Sequence, residues 1–191
     1  MTHNSKLTHT PIVFAFSGES NSGKTTLICK LCEYLKPKAK VAVIKHDPKD
    51  KAIFDTQGKD SYEFFQRSSA VALISPTRTI LQIKHDVKPQ QDSQNTQELE
   101  SNALFGILKQ LKEYDYIFIE GLKTLPFPRI VVAREHIESS YIPYANAFAI
   151  DESVKNTHIL PSALPILNLN DVAQVAAFIN AYPKSTSFKG E

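Results

Sequence analysis

The run Ser17-Gly18-Glu19-Ser20-Asn21-Ser22-Gly23-Lys24-Thr25-Thr26 decides how the rest of this chain is read. An apolar strand, Ile12-Val13-Phe14-Ala15-Phe16, leads into it, and a helical pattern from about Gly23 to Leu35 leads out. The spacing G-x-x-x-x-G-K-[ST] therefore falls between a strand and a helix N-terminus, the context that gives the motif its meaning. Glycines at both ends permit tight left-handed turns, so successive backbone N–H groups from Gly18 to Thr26 point inward. The helix N-terminus adds its partial positive charge, which makes an anion cradle. Lys24 is expected to reach the outer phosphates of a nucleoside triphosphate, Thr25 to offer its hydroxyl to Mg²⁺, and Thr26 to bond near the α-phosphate.

Outward from this loop, short apolar runs alternate with helical periodicities. Strands are expected at Val41–Ile44, Val71–Ile74, Thr79–Ile83, Tyr116–Ile119, Ile130–Val132, Ala147–Ile150 and Ile166–Leu167. The second and third of these, joined at Pro76-Thr77, suggest a hairpin. Helices are expected from about Asp60, from an Asn95/Glu98 capping pattern through Leu104, Ile107, Leu108 and Leu111, and from Asn170-Asp171 to just before Pro183. This order predicts an α/β fold: a single-domain P-loop NTPase over 11–183, with a mostly parallel sheet covered by helices on both faces. A disordered tail is expected over 1–10 and a frayed one over 184–191.

Ligands in such sheets bind at the carboxyl ends of the strands. Lys45-His46-Asp47 follows one strand there, and Glu120-Gly121 follows another. Glu120 is the candidate for managing the metal, its waters or an attacking water; Gly121 permits close backbone passage, and Lys123 brings positive charge towards a bound anion.

Net charge is only +2, from 22 basic and 20 acidic residues, which gives no electrostatic reason to expect nucleic acid or a membrane as partner. The first ten residues lack a secretory pattern, and no apolar stretch reaches membrane-spanning length, so a cytoplasmic protein is expected. Cys29 and Cys32 fall within the first helical pattern with no second Cys/His pair nearby, and are expected to be buried thiols.

Four stretches together are more particular than the phosphate loop alone: GESNSGKTT at 18–26, VIKHD at 43–47, D-x-x-GKDSY from Asp55 to Tyr62, and IEGLK at 119–123. With them the chain resembles the molybdopterin-guanine dinucleotide biosynthesis protein B (MobB) family over roughly residues 11 to 180. The resemblance implies a homodimeric GTP-binding protein with weak GTPase activity that assists a guanylyltransferase. That partner attaches GMP to molybdopterin. It further implies that Gly18 to Thr26 hold triphosphate and magnesium, that Asp55, Lys59 and Asp60 lie in a loop serving the nucleotide or the partner, and that Glu120 and Lys123 complete the site. Two stretches depart from the family pattern: Asp47-Pro48-Lys49 where further histidines are common, and Ser68-Ser69-Ala70 where Ala-Gly-Ala is common.

The guanine signature N-K-x-D is absent. Asp151, at a strand end, is a candidate because a carboxylate accepts from both guanine N1–H and N2–H; Asp171 is another, although Asn168-x-x-Asp171 reads first as a helix cap. Rival classes are an ATP-dependent ligase resembling dethiobiotin synthetase, a nucleotide-gated adaptor and a small-molecule kinase. An Arg-rich lid, which the kinase needs, is not evident. If the chain dimerises, Ile130–Val132 is expected to pair across the two-fold axis.

Overall fold

The computed structural model describes residues 10–85 and 93–183. Apart from Thr10, both terminal tails expected from the sequence lie outside these residues, as does most of the polar stretch after Lys84. The elements run β1 (Ile12–Ser17), α1 (Lys24–Leu35), β2 (Val41–Lys45), α2 (Asp60–Arg67), β3 (Ala70–Ser75), β4 (Arg78–Ile83), α3 (Ser93–Gln110), β5 (Tyr116–Glu120), β6 (Arg129–Ala133), β7 (Ala147–Ile150), β8 (Ile166–Asn168) and α4 (Val172–Ala181). They divide into two compact units, one of Met1–His46 with Gly106–Glu191 and one of Asp47–Phe105.

In the first unit six parallel strands are ordered β2-β5-β1-β6-β7-β8. The expected parallel α/β sheet is thus present. Its strands read as continuous apolar runs because both faces are buried. On one face, Phe14, Phe16, Phe118, Ile130 and Val132 pack against Leu27, Ile28 and Leu31 of α1 and against Val175, Ala176 and Ile179 of α4. On the other, Val131, Ala133, Phe148 and Ile150 form a second core with Ile137 and Val154, closed by Tyr141 and Ile142 of the 3-10 turn Ser139–Tyr144.

Three expectations need correcting here. β6 lies between β1 and β7 with Ile130, Val131 and Val132 fully buried, so it cannot pair across a two-fold axis; the edges of this sheet are β2 and β8. Cys29 is exposed, and Cys32 is half-buried at the margin of the core, because the fully buried stripe of α1 is Leu27, Ile28, Leu31 and Leu35. In α3, which begins at Ser93 and so ahead of Asn95, Leu108 is buried while Ile107 is exposed: a narrower apolar seam than the heptad-like pattern suggested.

The second unit is an antiparallel hairpin, as expected, with Ala70 opposite Ile83 and Ser75 opposite Arg78. Ser75 closes the turn, its Oγ accepting from Arg78 N at 3.2 Å and donating to Arg78 O at 3.1 Å. Helix α2 precedes the hairpin and buries none of its residues. Among the described residues, no helix is long and apolar enough to cross a membrane.

Candidate functional site

Gly18 leaves β1 with φ 144°, and a Cβ there would stand 2.1 Å from the carbonyl oxygen of Val132 on β6. Any side chain would collide with backbone, so the phosphate loop needs glycine at its first position. Asn21 at φ 64° and Gly23 at φ 97° complete the left-handed turns that deliver the chain to α1. Lys24 Nζ folds back over the loop, donating to Gly18 O at 3.1 Å, to Glu19 O at 2.5 Å and to Ser22 Oγ at 3.5 Å. Burial holds its pKa below the ordinary lysine value; Glu120 and Glu19 oppose that shift, and Lys45 reinforces it.

The sheet register sets the acidic group opposite the loop. β5 lies between β2 and β1, so Glu120 is paired with Lys45 on one side and with Phe16, two residues before the loop, on the other. Glu120 Oε1 accepts from Lys45 Nζ at 2.9 Å, and the carboxylate is only 12% exposed. Thr25 Oγ1 stands 3.3 Å from both Glu120 oxygens. A hydroxyl and a carboxylate at this separation form a hard-oxygen pair suited to adjacent positions around Mg²⁺, so these residues fit that ion. Gly121 follows at φ 100°, donating its N–H to Phe16 O at 3.0 Å.

Of three cations in this region, Arg129 and Arg134 were not singled out from the sequence, and Lys45 was placed at its strand end without a partner. Lys45 sat in a quoted motif, but its partner emerges only once β5 is known to lie beside β2. Arg134, just past β6, has its Nε 3.3 Å from Asp151 Oδ2, and a Cβ on Gly23 would come within 3.4 Å of it. Arg129 is the largest fully buried side chain. Its guanidinium donates to Ser17 Oγ at 2.6 Å and to the carbonyls of Gly121 (3.1 Å), Leu122 (2.9 Å) and Leu125 (3.1 Å); burial lowers its pKa to about 10. It thereby joins the end of β1 to the connection after Glu120. A charged residue at the start of an apolar strand gave a faint signal of this role.

The remaining sequence candidates separate. Asp151, at the end of β7, bonds the hydroxyl and N–H of Ser153; the hydroxyl bond is the main reason its carboxyl lies below the ordinary range, and Arg134 adds to it. Asp171 Oδ1 accepts from Gln174 N at 3.0 Å, capping α4. Lys123 places its ammonium 5.1 Å from the centre of the Tyr141 ring. Asp55, Lys59 and Asp60 belong to the second unit, where Asp55 Oδ1 accepts from Thr56 N at 2.8 Å and Lys59 and Asp60 open α2. Within the first unit, the phosphate loop, β6 and Tyr141 line a cavity of about 300 Å³.

The sequence profile of the molybdopterin guanine dinucleotide synthesis protein B (MobB) family matches residues 13–151. Two similar proteins bear the name molybdopterin-guanine dinucleotide biosynthesis adapter protein. The one from Haemophilus influenzae is 25% identical over 168 residues, covering 87% of this chain and 86% of its own; the one from Escherichia coli is 28% identical over 172 residues, covering 87% and 90%. A crystal structure of molybdopterin-guanine biosynthesis protein B shares 25% identity at TM-score 0.63, covering 88% of this chain and 96% of its own. Bacillus subtilis MobB shares 22% at TM-score 0.60, covering 91% and 99%, and speaks for the fold alone. With a profile match from β1 to the end of β7 and the phosphate loop, Glu120 and parallel sheet in place, this chain belongs to the MobB family.

Proposed function

We propose that the chain is a cytoplasmic GTP-binding adapter with weak Mg²⁺-dependent GTPase activity, serving a guanylyltransferase that makes molybdopterin guanine dinucleotide. The observation that carries this reading is the grouping of Lys24, Thr25 and Glu120 at the phosphate loop, with Thr25 Oγ1 3.3 Å from both carboxylate oxygens. Lys24 binds the outer phosphates, and Thr25 with Glu120 holds Mg²⁺. Glu120, ion-paired with Lys45, orients the attacking water. The adapter role is supported by the names of the H. influenzae and E. coli relatives. Only slow turnover is expected, because an adapter needs to signal the nucleotide it holds rather than consume it.

For base selection, the cap made by Asp171 favours Asp151 as the guanine acceptor. Asp55, Lys59 and Asp60 are assigned to the partner or the nucleotide, and Lys123 to the bound anion. A homodimer is supported by the second unit, whose two-stranded sheet exposes Leu73, Ile74, Leu81 and Ile83.

The deciding experiment titrates fluorescent GTP and ATP analogues with Mg²⁺ into wild type and Asp151→Asn, and follows phosphate release from wild type and Glu120→Gln. Tighter GTP binding, a selective loss of GTP affinity in Asp151→Asn, and roughly 10²-fold slower hydrolysis in Glu120→Gln are expected. A preference for ATP with rapid, stoichiometric turnover would replace this reading with the ligase class.

A further inference from the structure

Glu19, within the phosphate loop, meets two residues that follow β6. His136 Nε2 lies 3.0 Å from Glu19 Oε2, and Glu19, His136 and Glu138 each offer one donor atom within 4.8 Å of the other two. All three line the 300 Å³ cavity. The turn that presents His136 is fixed on both sides. Glu135, at φ 63°, donates its N–H to Ser153 Oγ at 2.8 Å and accepts from Lys155 N at 3.0 Å. Asn156 then clamps Ile137, accepting from its N–H at 2.8 Å and donating to its carbonyl at 3.0 Å. The imidazole therefore stands on a pinned backbone, while the two carboxylates come from a loop and from the cap of a 3-10 turn. The negative field they create is felt nearby: burial raises the pKa of the Tyr141 hydroxyl, and Glu19 and Glu138 raise it further.

We propose that Glu19, His136 and Glu138 form a binding site for a divalent transition-metal ion such as Zn²⁺, separate from the Thr25/Glu120 position assigned to Mg²⁺. An imidazole with two carboxylates is a mixed nitrogen and oxygen set, which suits zinc, cobalt or manganese and is wasted on Mg²⁺. Donors around a tetrahedral ion at about 2.1 Å stand about 3.4 Å apart, so closure from the present spacing needs shifts of about 1 Å in exposed side chains. The remaining coordination positions face the cavity and are filled by water or a ligand oxygen. Because Glu19 belongs to the phosphate loop and the other two donors follow β6, the ion ties one segment to the other.

The probe is Co²⁺, whose visible absorption reports nitrogen and oxygen coordination, titrated into the full-length, tag-free, nucleotide-free protein and then displaced by Zn²⁺. Wild type should bind one equivalent. His136→Gln and Glu138→Gln should each weaken binding at least about tenfold with unchanged circular dichroism, and Glu120→Gln should leave it intact. The proposal is overturned if wild type shows no such band, if both His136→Gln and Glu138→Gln retain wild-type affinity, or if Glu120→Gln abolishes binding. The last outcome would place the ion in the nucleotide site. None of these outcomes depends on which nucleotide the protein prefers, so failure here leaves the proposed function untouched.

Discussion

The two units of the molecule treat their large apolar side chains in opposite ways. In the six-stranded unit Phe14, Phe16, Phe118 and Phe148 are at most 1% exposed, whereas in residues 47–105 Phe54, Phe64 and Ile74 are 76%, 64% and 80% exposed. The first unit derives its order from burial on two faces of a sheet. In the second, order is local: a hairpin ladder, the Ser75 turn and an α2 whose residues all stay in contact with solvent. Isolated hairpins are marginal in water, so apolar surface left on one points to association rather than to a core. Substitutions in the first unit should therefore register as stability or ligand affinity, and substitutions on the second as assembly.

The largest effect is expected at Arg129. Arg129→Ala removes a buried guanidinium and its four hydrogen bonds, one buried and three part-buried, and should lower unfolding stability by about 3–5 kcal/mol, read from urea denaturation. A loss below about 1 kcal/mol would mean that water replaces the guanidinium and that the two units differ less than their burial suggests. Next comes Lys24→Ala, which removes the cation proposed to face the outer phosphates; nucleotide binding should weaken by about 2–4 kcal/mol in titration calorimetry. Unimpaired binding would remove the basis for reading the loop as a phosphate site.

Asp171→Ala is the smaller test within the same unit. Loss of the cap on α4 should cost about 1 kcal/mol of stability and leave GTP affinity unchanged. A selective fall in GTP affinity would return Asp171 to the base site. Least of all should Ile74→Ser disturb the monomer, by under about 0.5 kcal/mol, while shifting the proposed dimer towards monomer in light scattering. A large stability loss there would show that Ile74 belongs to a core and would erase the contrast between the units.

Much of the sheet was legible because each strand is a contiguous apolar run, and the structure extends most of these runs by only a residue or so, as at Ser17, Lys45 and Glu120. The phosphate loop was legible because its glycines and Lys24 are local in sequence. Strand order was not. β5 enters between β2 and β1 although the whole second unit separates it from β2 in the chain, and this placement brings Lys45 against Glu120 and moves β6 away from any edge. Arg129 was hidden for a related reason: its partners are backbone oxygens, which no residue type announces. The cysteines misled because a helical pattern gives spacing, while the face that is buried depends on what packs against it.

The connection from β5 to β6 passes over β1 through residues 121–128, with none of the helix that usually makes such a crossing. Arg129 grips it at three carbonyls and grips Ser17, at the mouth of the phosphate loop, with the same planar group. In kinematic terms the two segments share one rigid coupling. The positions of residues 121–125, and so the backbone next to Lys123, are tied through the guanidinium to the residue from which the phosphate loop departs.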